Sequence, residues 1–132
     1  MNNNRNIYWL IGGLINLFTA VLHTIGGQFD LVSPLMSSNL IDQAKAELIG
    51  VWHMITIFLF LTSYILIKTG TGKTENLPTE LVKYIGYLYI IFSVPSIATS
   101  IMYKLLAPQW ILLLPIGGIV LYGMKKYRNN HS

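Results

Sequence analysis

Residues 7–27 read IYWLIGGLINLFTAVLHTIGG, with no Asp, Glu, Lys or Arg and a single imidazole, His23. The uncharged run is wider still, because Arg5 and Asp30 bracket twenty-four residues that carry no formal charge. A helix needs ~20 predominantly apolar residues to cross the hydrocarbon core of a bilayer. The same punctuation recurs along the chain. Glu47 and Lys68 bracket twenty uncharged residues, as do Lys83 and Lys104, and again Lys104 and Lys125. Four spans are therefore predicted, at about 7–27, 48–67, 81–103 and 108–124. They take up most of the 132 residues, so residues 1–132 form one all-α membrane domain, an integral four-helix bundle.

Composition agrees with that reading. The chain is 53% hydrophobic and only 11% charged, too apolar for an ordinary soluble domain of this length. It has no cysteine, which excludes a dithiol redox mechanism, iron–sulfur clusters and thiolate metal sites. The net charge of +4 sits beside helix ends, which favours anionic lipid headgroups over nucleic acid as its partner. The polar start with Arg5 has no small-residue cleavage pattern after it, so the first apolar run is expected to be a retained helix.

Basic residues near helix ends set the expected orientation. With both termini cytoplasmic, the inner side collects Arg5, Lys68, Lys73, Lys83, Lys125, Lys126 and Arg128, and the outer side keeps Lys45 and Lys104. Trp9, Trp52 and Trp110 then fall near the two membrane interfaces, where amphipathic rings are favoured.

The faces of the helices follow from steps of three and four. In the first span, Gly12, Asn16, Thr19, Ala20, His23 and Gly27 share one side, and small or hydrogen-bonding residues there should meet a neighbouring helix. In the second, the matching stripe is Gly50, His53, Thr56, Phe60 and Ser63. In the third, Tyr89, Ser93, Ser96, Ser100 and Tyr103 align, with Pro95 as a kink. The segment from Gln28 to Asn39 reads as a loop, with Ser38 or Asn39 capping the next helix. Pro108 suits the first position of the fourth helix. The linker residues Gly70, Gly72, Lys73 and Thr74 lack the first glycine of a phosphate loop, because position 67 is Ile, and no strand precedes them.

His23 and His53 fall at matching depth, roughly 6–8 Å below the outer boundary at ~1.5 Å per residue. Titratable groups are expensive inside a membrane, so the pair marks a candidate site. Neutral imidazoles suit a transition-metal ion, with Asp30, Asp42 and Glu47 as candidate oxygen ligands from above. An outward-opening polar pocket around the two histidines would be lined by Asn16, Thr19, Trp52, Thr56, Ser96 and Ser100. Haem is disfavoured geometrically, because neighbouring helices pack at ~8–10 Å and leave little room for a porphyrin between facing histidines. The remaining alternative is structural: each histidine fastens the bundle by hydrogen bonds.

The pattern His23-x-x-Gly26-Gly27, Pro34-Leu35, Trp52-His53 and Pro108-Gln109-Trp110 resembles a group of small bacterial four-helix membrane proteins with no assigned activity. The resemblance implies a multi-pass protein of the bacterial inner membrane and brings no cofactor or catalytic residue. Three functions stay open: a binding module for a metal ion or small ligand, a haem- or quinone-associated redox protein, and a structural or partner-binding subunit. The partners in view are the bilayer and a second copy or another membrane protein. No span contains Asp or Glu, no paired-carboxylate or Ser-His-Asp arrangement can be assembled within the membrane, and the outer loop is short, so an enzyme is disfavoured.

Overall fold

The computed structural model describes residues 5–72, 79–106 and 108–129, and every regular element among them is helical. Helix α1 covers Ile7–Gly27. Asn6 starts it, its side-chain oxygen accepting from the backbone N–H of Tyr8 at 3.1 Å and of Trp9 at 3.3 Å, so two donors that a helix start leaves unpaired are satisfied. The helix does not stop at the two glycines. Gly27 keeps helical dihedrals, and the chain passes through a wide π-helical turn, Gln28–Val32, into the short α2, Ser33–Met36. The expected loop is thus mostly helical. Pro34 has no N–H, and its ring would press on a carbonyl one turn back in a straight α-helix. The wider turn directly before it relieves that clash.

Helix α3 covers Asp42–Gly70. Its cap residue is Ile41 in extended backbone, with no side-chain cap, rather than Ser38 or Asn39. Ser38 is used in the turn itself, donating to the Leu35 carbonyl at 2.7 Å. Helix α4 covers Thr79–Tyr103 with Pro95 inside it, and α5 covers Gln109–Asn129. Of the linker expected over residues 68–80, positions 68–70 end α3, 79 and 80 begin α4, and 73–78 lie outside the described residues.

Asn6 also fixes the topology. Its backbone N–H donates to the Gly70 carbonyl at 3.0 Å and its side-chain amide to the Gly123 carbonyl at 3.0 Å. The start of α1 and the ends of α3 and α5 therefore meet at one end of the molecule, and neighbours run antiparallel. Laterally the order is α3, α1, α5, α4, and the two outer helices α3 and α4 touch only locally. Glycines bring the neighbours close. A Cβ on Gly70 would stand 2.5 Å from the Leu10 nitrogen, and one on Gly117 would stand 2.8 Å from the Gly86 carbonyl oxygen. Backbones in such contact are typical of helix packing in lipid, where dispersion rather than water drives association.

Polar side chains are buried inside while many large apolar ones face out. Asn16, Thr62, Ser63 and Ser93 are fully or almost fully buried beside Leu66, Ile116 and Val120. Phe18, Met54, Ile57 and Ile101 stand outward, with Met54 and Ile57 each 67% exposed. A large continuous apolar exterior is unusual in water and ordinary against hydrocarbon. Three helical segments, Ile7–Met36, Asp42–Gly70 and Thr79–Tyr103, are long and apolar enough to cross a membrane. Among the described residues, the fourth expected span falls short by that measure. Its apolar run, Trp110–Met124, ends at Lys125 and Lys126 and reaches only about 22 Å, against a core of ~30 Å.

Candidate functional site

Two features occupy the space between α3 and α4. The first is a buried polar knot at mid-height. Asn16 of α1 donates through its amide to the Leu59 carbonyl at 3.1 Å and to Thr62 Oγ1 at 3.0 Å. The Tyr89 hydroxyl of α4 donates to Asn16 Oδ1 at 2.6 Å and lies 2.7 Å from Thr62 Oγ1. A carbonyl can only accept, so the Leu59 contact fixes which end of the Asn16 amide carries nitrogen. With that settled, Tyr89 must be the donor to Oδ1, and every polar atom of Asn16 has a partner. This knot is where α3 and α4 are joined.

Beyond the knot, on the side away from Asn6, α3 and α4 part and leave a cleft of about 840 Å³. Its walls are Leu48, Val51, Trp52 and Ile55 of α3 and Phe92, Pro95, Ser96 and Thr99 of α4. Gln109 and Leu113 of α5 close the back, with His23 of α1. The turn and α2 form a roof through Asp30, Leu31, Pro34 and Leu35. The lining is mainly aliphatic and aromatic, whereas the sequence suggested a polar pocket.

Trp52 and His23 meet as flat rings, with centroids 3.7 Å apart and planes inclined by 13°. Gly27, one turn on from His23, makes room for the indole, because any Cβ there would overlap the Trp52 ring. His23 Nε2 lies 3.4 Å from the Trp52 carbonyl oxygen, which also accepts from Thr56 Oγ1 at 3.1 Å. The carbonyl has no proton to give, so the contact requires hydrogen on Nε2 and leaves the Nδ1 lone pair available.

His53 stands at the same height as His23, since each is seventeen residues from the level of Asn6 and Gly70. Its facing is different. Successive helix residues are about 100° apart, so only one of Trp52 and His53 can meet α1. Trp52 takes that place, and His53 is exposed and outside the cleft lining. The inward stripe of α3 is rotated accordingly. Leu59, Thr62, Ser63, Leu66 and Thr69 are buried, while Gly50 and Phe60 join His53 on the exposed side. The α1 stripe is as expected, with Gly12, Asn16, Thr19, Ala20 and Gly27 buried.

Of the other residues singled out from sequence, Asp30, Trp52 and Ser96 line the cleft. Asn16 and Thr19 are buried outside its lining, Thr19 donating to the Ile15 carbonyl at 2.9 Å. Thr56 and Ser100 are half-buried and outside the lining, Ser100 donating to the Ser96 carbonyl at 2.7 Å. Asp42 and Glu47 are exposed on the first turns of α3, away from the cleft, and Glu47 accepts from Gln43 at 2.6 Å. Among the described residues, no group of three or more His, Cys, Asp or Glu side chains is placed to hold a metal ion. Sequence reasoning missed Thr62, Gln109 and the role of Asn6. Thr62 carried a signal, as a hydroxyl one residue before Ser63 in an apolar run.

No protein-family profile matches the chain, and no curated protein or solved structure is significantly similar to it.

Proposed function

We propose that the chain is a four-span protein of a bacterial inner membrane, with both ends cytoplasmic, whose cleft binds a small lipid-soluble molecule. The distribution of basic residues supports the orientation. The short fourth span fits if Lys125, Lys126 and Arg128 extend their charged heads to the interface while their stems stay in hydrocarbon. The splaying of α3 and α4 above the Asn16–Thr62–Tyr89 knot carries the binding reading. It leaves a recess of about 840 Å³, in the range of ligand sites, with an apolar wall and a few polar groups. The recess lies between two helices that barely touch, so its occupant enters sideways from the bilayer. A metal ion is the weaker occupant, because His23 and Asp30 are the only strong ligands in the described lining. Haem fares no better, since the His23 ring is already stacked on Trp52.

Photolabelling with a diazirine-bearing fatty alcohol, which carries no charge, tests the reading in reconstituted protein. Labelling of Val51, Ile55, Phe92 and Ser96 is expected to saturate and to be lost in Ser96→Trp, which fills the recess. Labelling of Ile57 and Ile101 should rise in proportion to probe, as for bulk lipid. Non-saturating labelling at all six positions defeats the binding reading. It would leave the structural one, which rests on the His23–Trp52 stack joining α1 to α3.

A further inference from the structure

The polar atoms of the cleft are unequal in what they can still bond. Asp30 is the one residue of formal charge in the described lining, and a carboxylate only accepts. His23 has its Nε2 hydrogen directed to the Trp52 carbonyl, which leaves an accepting Nδ1. Thr99 commits its hydroxyl hydrogen to its own helix, with the Pro95 and Ser96 carbonyls at 3.0 and 3.1 Å, and keeps oxygen lone pairs. Gln109 offers both a donor and an acceptor. Ser96 and Trp52 add a hydroxyl and an indole N–H, so neutral donors are present too, and the distinguishing group is the single carboxylate of Asp30. Trp52 and Phe92 add aromatic faces, whose negative quadrupole attracts cations. Among the described residues, no Lys or Arg lines the cleft to oppose a positive charge.

We infer that the ligand of this cleft is a lipophilic amine bound as its ammonium, with its tail against Val51, Ile55 and Leu113. The inference rests on the binding reading above and names the class of ligand. An ammonium supplies donors where the site has acceptors, and its charge meets the Asp30 carboxylate. A carboxylate or phosphate head would bring further acceptors and a like charge to the same place. A quinone carries only acceptors and no charge, so it would leave the Asp30 carboxylate without a partner.

Three twelve-carbon probes separate the possibilities: dodecylammonium, dodecanol and dodecanoate. Each is titrated into the reconstituted protein carrying Trp110→Phe, and the change in Trp52 emission is followed. Trp110 is replaced because its indole nitrogen is buried without a hydrogen-bond partner, so Phe removes its emission without breaking a bond. Trp9, at the opposite end, gives a constant background. Dodecylammonium should saturate the signal at a concentration at least ~10-fold lower than dodecanoate, a difference of about 1.4 kcal/mol. Asp30→Asn should weaken dodecylammonium ~5-fold or more and leave dodecanol unchanged. If all three probes saturate alike and Ser96→Phe, which fills the recess without a new fluorophore, abolishes the response to each, the cleft binds but the ammonium inference is overturned. If no probe saturates, or Ser96→Phe responds as the parent does, the binding reading itself fails.

Discussion

Replacing Tyr89 by Phe removes one oxygen from the middle of the bundle and leaves the ring. The ring keeps its stack on Phe58, with centroids 5.9 Å apart, so no cavity of consequence forms. Two contacts go: the 2.6 Å bond to Asn16 Oδ1 and the 2.7 Å contact with Thr62 Oγ1. Hydrogen bonds between membrane helices average about 0.6 kcal/mol, with a maximum near ~1.7. Leaving a buried acceptor unpaired costs about 1–3 kcal/mol. Asn16 Oδ1 becomes such an acceptor, because both amide hydrogens of Asn16 are already directed elsewhere. A loss of about 1.5 kcal/mol is expected in reversible unfolding by SDS in mixed micelles, followed by tryptophan emission. Asn16→Leu should cost at least as much. The double variant should fall short of the sum by about 1 kcal/mol, since both changes break the same bond. Leu14→Ala, at a residue 52% exposed on the outer face of α1, serves as the control. A Tyr89→Phe cost under about 0.3 kcal/mol, with additive behaviour in the double variant, would refute the knot as the polar join of α4 to α1 and α3.

Three further expectations come from close approaches and from charge. Gly27→Ala should cost about 1–3 kcal/mol and shift Trp52 emission, because the new methyl occupies the place of the indole. Gly26→Ala, beside open space, should be neutral or slightly stabilising, and equal effects of the two in a thermal assay would contradict the His23–Gly27–Trp52 packing. At the α4–α5 crossing, Gly117→Ala should destabilise, its methyl lying 2.8 Å from the Gly86 oxygen, while Gly118→Ala meets nothing within 4 Å and should not. A reversal of that order in detergent melting would mean that α4 and α5 pack on other faces. Finally, the chain has no cysteine, so Asn39→Cys and Asn76→Cys can be labelled singly. In intact cells an impermeant maleimide should reach position 39 only, and reaction at 76 would invert the orientation.

The parts of the fold that were legible in the sequence depend on one helix at a time. Charge-free windows near the length of a span gave the helices, and small and polar residues recurring every three or four gave the buried face of α1. What stayed hidden depends on neighbours. The helix order α3, α1, α5, α4 cannot be read from any single pattern, so nothing linked Asn16 to Tyr89, seventy-three residues on. Gly12 and Gly13 show the same point. Gly12 accommodates Val120 of α5 and Gly13 accommodates Ile67 and Leu66 of α3, so the adjacent pair marks a helix with two partners. The face of α3 was misjudged for a different reason. An inward His53 is expected because a titratable ring is costly in hydrocarbon, yet the place facing α1 at that height is taken by Trp52, stacked on His23. The helical roof over residues 28–36 was hidden as well, because Gly26, Gly27 and Pro34 each signal a break that the π-helical turn absorbs.

Helix lengths explain why the cleft lies at this end of the bundle. Asn6, Gly70 and Gly123 define one common level through two hydrogen bonds. From that level α1 rises about 31 Å to Gly27, and α3 rises about 42 Å to Asp42, at ~1.5 Å per residue. Helix α4 starts lower, but Gly86 packs on Val120 and Leu121, so its end at Tyr103 stands near ~29 Å. Helix α5 reaches only Gln109, about 21 Å up. The upper third of the bundle thus has walls from α1, α3 and α4 and no fourth helix behind them. Gln109 and Leu113, at the top of α5, become a back ledge, and the continuation of α1 through Leu31 and Leu35 folds over as a roof. A fully extended fourth helix would fill this space with side chains. The short one leaves a recess whose walls are mainly apolar, with Asp30 at the roof, Gln109 at the ledge, and His23, Ser96 and Thr99 among the walls. That arrangement suits a molecule with an apolar body and one polar head.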